Sequence, residues 1–211
     1  MALESFEKLP AEKQEMILNT GIRAFSKKSY RDVSTDVITR ECGVSKGILF
    51  HYFGSKQNYY LACLKTSLNR LTEPQEEVKG KDFYEILFET MKQKFSVCLK
   101  YSDEMHLVNM ASRDASGEIA EEKARLIRGY MVTVQQESAK TIDHALSALP
   151  LKKKGKKSAE GLQIYITALM NRYLLAYQED PDQFFKESAK IRKEMKDYLD
   201  LMLYGIVRED V

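Results

Sequence analysis

The sequence is poor in the residues that mark several classes of protein. Tryptophan is absent, and cysteine and proline occur only three and four times in 211 residues. The cysteines Cys42, Cys63 and Cys98 are odd in number and widely spaced, so they indicate neither a disulfide framework nor a C-x-x-C metal site. Reduced thiols in a cytoplasmic compartment are the expectation that follows.

Long apolar runs are also missing. No run approaches the roughly 20 residues that a helix needs to cross a bilayer. The first residues, MALESFEKLPAEK, carry charges of both signs and lack the apolar segment of a signal peptide. We therefore expect a soluble cytoplasmic protein that does not bind membranes.

Groups suited to catalysis or to metal binding are few. The three histidines are His51, His106 and His144, and none has the preceding Glu of the E-x-x-H pattern that helical di-metal sites require. No Ser-His-Asp pattern or Gly-rich phosphate loop stands out. The sequence therefore predicts no enzymatic activity, no metal and no cofactor.

The remaining composition is typical of a folded, all-α protein. Hydrophobic residues make up 44% of the chain, which is enough for a sizeable core. The four prolines stand where helical patterns start or stop, and no long alternation typical of strands occurs. We predict about nine helices, at about 11–27, 35–42, 45–53, 55–71, 82–101, 105–110, 118–149, 161–177 and from Pro181 onward.

The segment ECGVSKGILFHYFGSK predicts a helix-turn-helix motif. Gly43 suits the left-handed end of one helix, and Ser45 suits the N-cap of the next. In such a motif the second helix enters the major groove of DNA. Leu49 and Phe53 are four residues apart, so both can face inward and anchor that helix to the core.

The other side of the second helix has the chemistry of a phosphate-binding surface. Ser45 and Lys46 offer a hydroxyl and a cation at the helix N-terminus, where the dipole favours anions. Gly47 has no side chain, so the backbone can approach a duplex closely. The segment is therefore suited to lie on DNA.

The longer stretch RAFSKKSYRDVSTDVITRECGVSKGILFHYFGSKQNYY resembles the tetracycline-repressor (TetR) family of bacterial transcriptional regulators. GVSKG, L-x-x-YF and SK are in the family's register. The resemblance implies a three-helix DNA-binding domain at residues 1–54 and a helical ligand-binding and dimerisation domain at 55–211. Residues 55–72 would form the helix that connects them.

The resemblance also implies which residues contact DNA. Ile48 stands where a small polar residue is common and can touch a thymine methyl group, and Phe50 replaces a frequent Tyr. Two alternatives stay open: Phe50 as a packing residue and His51 as an exposed bystander. The implied phosphate contacts are Thr35, Ser45, Lys46, Tyr52 and Lys56, and the residues nearest the bases or the adjoining backbone are Gly47, Ile48, Phe50 and His51.

The charge of this region favours a dimer. Between residues 34 and 56, Arg40, Lys46 and Lys56 stand against Asp36 and Glu41, a net charge of +1. Because phosphate neutralisation dominates affinity for DNA, one copy would bind weakly, whereas two copies on half-sites about 34 Å apart double the contacts. The apolar stripes on the last two helices are wider than one neighbouring helix covers, so either the rest of the domain buries them or two copies of the protein meet there. We expect a homodimer through these two helices.

By the same resemblance, the function is that of a ligand-responsive repressor that leaves its operator DNA when a small, largely apolar or aromatic molecule enters the C-terminal domain. The alternatives are a helical protein-interaction module and a small-molecule-binding protein without DNA binding. In the pocket, His106 or Arg113 would be the polar group; the alternative is that most of the set is core. The predicted pocket residues are Phe88, Met91, Phe95, Met105, His106, Met110, Arg113, Tyr130 and Tyr165.

Overall fold

A computed structural model describes residues 2–76, 78, 82–113, 119–149 and 156–205. Within these ranges the regular structure is entirely α-helical, which confirms the predicted fold class. The helices are α1 (Ala2–Glu7), α2 (Ala11–Lys27), α3 (Thr35–Glu41), α4 (Lys46–Phe53), α5 (Lys56–Leu71), α6 (Phe83–Lys100), α7 (Ser102–Arg113), α8 (Ala120–Ser147), α9 (Lys156–Tyr177), α10 (Pro181–Lys186) and α11 (Ser188–Tyr204).

Local signals set the ends of the N-terminal helices. Ser45 Oγ and Ser55 Oγ each accept a hydrogen bond from the amide three residues further on, at 3.2 and 3.1 Å, and so cap α4 and α5. Gly43 has a φ of +64°, a left-handed conformation that ends α3 and that other residues rarely adopt. Ser34 occupies the N-cap position of α3, but its side chain makes no capping hydrogen bond.

The first compact unit comprises residues 1–73 and 101–133. At its centre Tyr59 is fully buried and donates a hydrogen bond to the Ile17 carbonyl at 2.6 Å. Helix α7 packs against α2 and α5. A largely buried ion pair of 2.5 Å between Arg70 and Glu104 ties α5 to α7. The four N-terminal helices of the sequence prediction are therefore packed together with α7.

The second unit comprises residues 74–100 and 134–211. Its described helices are α6, the second half of α8, and α9 to α11. Phe184 of α10 is fully buried and stacks on Phe95 of α6 with ring centroids 4.1 Å apart. This aromatic pair is the centre of a separate hydrophobic core, with which Tyr177 makes an edge contact.

Several predicted helix ranges differ from the structure. Helix α1 was not predicted, because six residues are too few to show a periodic pattern. Helix α7 is longer than the predicted 105–110, and α9 begins at Lys156, five residues before the predicted start at 161. Residues 150–155, which precede α9, lie outside the described residues. The last predicted helix is divided at Glu187 into α10 and α11.

The packing units and the predicted domains divide the chain differently. Helix α5, α7 and the first half of α8 group with residues 1–54 in packing. The boundary at residue 54 was predicted between a DNA-binding part and a ligand-binding part of the chain, and it does not coincide with the boundary between the two hydrophobic cores. It stays a prediction. No helix in the described part of the chain combines the length and the apolar character needed to cross a bilayer.

The close approach of α2 and α5 generates a stability prediction. A Cβ added at Gly21 would lie 2.3 Å from Tyr59 Oη and 2.6 Å from Cys63 Sγ, and both side chains are buried. Because Tyr59 is held by its hydrogen bond to Ile17, it cannot move aside. We expect Gly21→Ala to lower the free energy of unfolding by about 1–3 kcal/mol, measured by urea denaturation.

Gly129 is the matched control for this substitution. It also lies inside a helix, α8, but an added Cβ there meets no atom within 4 Å. We expect Gly129→Ala to raise the free energy of unfolding by about 0.5–1 kcal/mol, because alanine restricts the unfolded chain more than glycine. Equal effects of the two substitutions would contradict the packing argument.

Candidate nucleic-acid interface

Helices α3 and α4 form the predicted helix-turn-helix, and its inward face is buried as expected. Leu49 and Phe53 of α4 are no more than 1% exposed and belong to one core with Ile38 and Phe25. Cys42 is buried in the same core, and burial raises the pKa of its thiol. The inward residues therefore hold α4 in one orientation and leave its other side free.

The free side of α4 presents a continuous exposed surface. Its members Ser45, Lys46, Gly47, Ile48 and His51 are all exposed, and we call this surface the α4 edge. Ile48 is 44% exposed, although it is a large apolar residue. An isoleucine in that position contributes little to the fold, so it is available for an apolar contact with a partner.

The packing of the protein itself does not require a glycine at position 47. A Cβ added there would meet only Ser45 Oγ at 3.8 Å, which is an ordinary van der Waals distance. Glycine is also an unfavourable residue inside a helix. The open space above Gly47 is therefore consistent with close approach of a partner to the backbone.

Lys46 of the α4 edge and Arg23 of the nearby α2 are each paired with a carboxylate of α3. Lys46 Nζ lies 3.0 Å from Asp36 Oδ1, and Arg23 lies 3.2 Å from Glu41. Both pairs are about half exposed, so each contributes little to stability. Asp36 thus competes for the ammonium that the sequence assigns to phosphate.

Lys56 is positioned by residues that precede α3. Its ammonium lies 4.7 Å from the centre of the Tyr30 ring and donates a hydrogen bond of 3.4 Å to the Arg31 carbonyl. Burial lowers the pKa of Lys56, and the nearby Asp32 carboxylate opposes that shift. The cation is therefore held in place rather than freely mobile.

Two aromatic residues of α4 are half-buried. Phe50 is neither enclosed in the core nor fully exposed. Tyr52 packs edge-on against Phe6 of α1 with ring centroids 5.9 Å apart, and Phe6 also contacts Phe53 at 4.8 Å. Helix α1 therefore supports the end of α4 from which Tyr52 projects.

Thr35 differs from the rest of the predicted DNA-contacting set. It is buried, with 8% of its surface exposed, at the first position of α3. The structure brings the other members together on α4 and at the start of α5. The sequence did not identify Phe6, Tyr30 and Asp36 as residues that support this surface. Of the three, Tyr30 had a signal in the sequence, because it is an aromatic residue within the basic segment KKSYRD.

The predicted pocket residues do not form one cluster within either unit. Phe88, Met91 and Phe95 lie in the core of the second unit, in agreement with the alternative that they are packing residues. Tyr165 is 37% exposed on α9 and donates a hydrogen bond to the Tyr198 carbonyl. The remaining members belong to the first unit: Met105, His106, Met110, Arg113 and Tyr130.

Comparison with known proteins relates the helix-turn-helix segment to a protein family. Residues 17–63, which hold α3, α4, most of α2 and the first half of α5, match the model of the bacterial regulatory proteins of the tetR family. This segment of the chain is therefore of the TetR type. The TetR resemblance inferred from the helix-turn-helix residues is thereby confirmed.

Curated relatives in sequence are described as transcriptional regulators of the helix-turn-helix (HTH) type. An uncharacterized HTH-type transcriptional regulator of Bacillus subtilis, YerO, is 28% identical over 162 residues, which cover 75% of this chain and 51% of that protein. The HTH-type transcriptional repressor AcnR of Corynebacterium glutamicum is 29% identical over 68 residues, or 32% of this chain and 36% of that protein. The chain thus spans about half or less of these curated relatives.

Solved structures share the fold over nearly the whole chain. A TetR family transcriptional regulator from Chloroflexus aurantiacus has a TM-score of 0.55 at 19% identity and covers 98% of both chains. NalD, described as the secondary repressor of the MexAB-OprM multidrug efflux pump in Pseudomonas aeruginosa, has a TM-score of 0.54 at 17% identity over 95% of this chain and 100% of its own. The proteins of the matching family are regulators, and so are these two curated relatives; none of them is described as an enzyme.

Proposed function

We propose that this TetR protein is a repressor that binds operator DNA as a homodimer and is released when a small, largely apolar molecule enters its C-terminal domain. The observation that carries the proposal is the α4 edge, an exposed surface with a cation, a capped helix N-terminus and a bare glycine. Such a regulator acts in the bacterial cytoplasm, where operator DNA is present.

In the proposed complex, α4 lies in the major groove. Ser45 and Lys46 bind phosphate oxygens at the helix N-terminus, and Lys56 and Tyr52 bind the backbone at either side. Gly47 admits the duplex to the helix backbone, and Ile48 contacts a thymine methyl group. Phe50, His51 and Thr35 adjoin these contacts, with Thr35 limited by its burial.

Dimerisation is assigned to the last two long helices. Ile164 and Leu175 of α9 are 70% and 65% exposed, and Leu201 and Tyr204 of α11 are 45% and 77% exposed. Ile164 and Leu175 are eleven residues, or about three helical turns, apart, so they lie on one side of α9. Exposed apolar side chains repeated along one face are typical of an interface between subunits.

Release requires an effector that binds one conformation of the dimer more tightly than the other. Helix α5 follows α4 directly and shares its core, so a displacement of α5 would move the α4 edge. The names of AcnR and NalD describe both as repressors, which supports repression as the mode of regulation here.

The first test is a gel shift with DNA from upstream of the protein's own gene. We expect Lys46→Ala to weaken binding. The slope of log Kd against the logarithm of the salt concentration should fall by about two for a dimer, because one phosphate contact is lost per subunit. Asp36→Asn should strengthen binding, since it frees Lys46 from its ion pair.

Lys140 supplies the control for this test. It forms a similar exposed pair with Glu137 at 2.7 Å but lies on α8. Lys140→Ala should leave the DNA affinity unchanged. Absence of any shift at low salt, or equal affinities for the wild type, Lys46→Ala and Asp36→Asn, would contradict the proposed function.

Gly47→Ala separates DNA contact from folding. The substitution meets no steric obstacle within the protein and improves helix propensity, so thermal stability should stay equal or rise. If the duplex approaches the backbone at Gly47, the added methyl group should lower DNA affinity at least tenfold. A variant that binds DNA as tightly as the wild type would show that this part of the edge does not approach DNA.

The dimer interface can be tested with Ile164→Glu combined with Leu175→Glu. Two carboxylates per subunit in an apolar interface should shift the mass measured by light scattering from a dimer to the 24.4 kDa monomer and weaken operator binding. Met16→Glu, at another exposed apolar residue, should leave the mass unchanged. A dimeric double variant would place the interface elsewhere.

A further inference from the structure

Lys94 of α6 is a partly buried cation that has no acidic partner among the residues that the structure describes. Its ammonium donates a hydrogen bond of 3.1 Å to Ser138 Oγ of α8, within the second unit. Burial lowers the pKa of Lys94, and the only opposing influence is the thiol of Cys98. No carboxylate of the described residues pairs with this lysine.

This arrangement is unlike that of the neighbouring lysine on the same helix. Lys92 lies 2.9 Å from the Glu89 carboxylate and is more than a third exposed, so its charge is both paired and solvated. An ammonium has three N–H donors, and the single neutral hydroxyl beside Lys94 accepts one of them. A buried charge is costly unless an opposite charge compensates it.

A buried apolar side chain lies one helical turn from each of the two partners. Met91, one turn before it on α6, is fully buried, and Ile142, one turn after Ser138 on α8, is 1% exposed. The backbones of α6 and α8 make no extensive close contact, whereas α6 packs directly against α9 and α10. The long side chain of Lys94 thus bridges two helices that are otherwise joined by apolar side chains.

We propose that Lys94 and Ser138 bind the carboxylate of an amphipathic acid whose apolar tail lies against the side chains between α6 and α8. The proposal rests on the proposed ligand-responsive function and narrows the effector from an apolar molecule to an apolar anion. The carboxylate accepts hydrogen bonds from the ammonium and the hydroxyl, and it supplies the negative charge that the described residues do not. A neutral molecule would leave the charge of Lys94 uncompensated.

The experiment measures thermal unfolding of the full-length protein, without DNA, in the presence of straight-chain acids from hexanoate to dodecanoate below their micelle concentrations. At least one acid should raise the unfolding temperature in a saturable manner. The alcohol of the same chain length should bind at least tenfold more weakly, because it lacks the charge. If no acid of the series stabilises the protein, or if acids and alcohols bind equally, the proposal is wrong.

Variants assign the effect to the site. Lys94→Met keeps the length of the side chain and should be at least as stable as the wild type, while losing the preference for acid over alcohol. Ser138→Ala should weaken acid binding and keep that preference, which covers the case in which Lys94→Met does not fold. Lys92→Met should bind the acid as the wild type does. Acid binding that is unchanged in Lys94→Met and Ser138→Ala would overturn the assignment.

A gel shift with the same acid then separates this inference from the proposed function. If the acid binds through Lys94 and the protein binds no DNA, the site stands and the regulatory function fails. If the protein binds operator DNA and no acid affects its unfolding, the function stands and the anionic effector is excluded.

Discussion

The orientation of the α4 edge depends on one packing constraint, the burial of Leu49 and Phe53 in the aromatic core of the first unit. Phe53 packs on Tyr59 with ring centroids 4.8 Å apart, and Tyr59 is in turn bound to the Ile17 carbonyl. Because Gly21 of α2 has no side chain, Tyr59 of α5 can lie directly against the α2 backbone. Because both inward side chains of α4 are enclosed, the helix cannot rotate, and the same five exposed residues always face outward.

The electrostatics of this surface are modest and adjustable. Two exposed cations, Lys46 at the start of α4 and Arg23 of α2, pair with carboxylates of α3, and Lys46 with Asp36 is the pair nearest the start of α4. An exposed pair of this kind costs little to break, so the cation remains available to a phosphate oxygen. Charges withdrawn from water behave differently: Arg70 and Glu104 satisfy each other between α5 and α7, whereas the partly buried Lys94 has, among the described residues, a hydroxyl as its partner. That contrast distinguishes a structural ion pair from a candidate binding site.

Much of the first unit could be predicted from the sequence because its signals are local. Capping serines, a glycine at a positive φ and apolar residues at helical spacing identify α2 to α5 within a few residues. Longer-range features could not be predicted in this way. Helix α1 is recognisable only through the contact of Phe6 with Tyr52 and Phe53, and Met131, which helical spacing places on a buried stripe of α8, is 60% exposed. Periodicity identifies a face but not the neighbour that covers it.

The sequence by itself determined the helical fold class, the helix-turn-helix and the residues of its outer surface, because hydrogen bonds and periodic burial within a few residues encode them. Only the tertiary structure decided that α7 packs against α2 and α5, that Phe88, Met91 and Phe95 are core residues, and that Lys94 lies opposite Ser138. Those relations join residues that are distant in the chain. Such relations depend on which helices pack together and on which charged groups are dehydrated by that packing. The spacing of residues along the sequence specifies neither the partner helices nor the dehydrated charges.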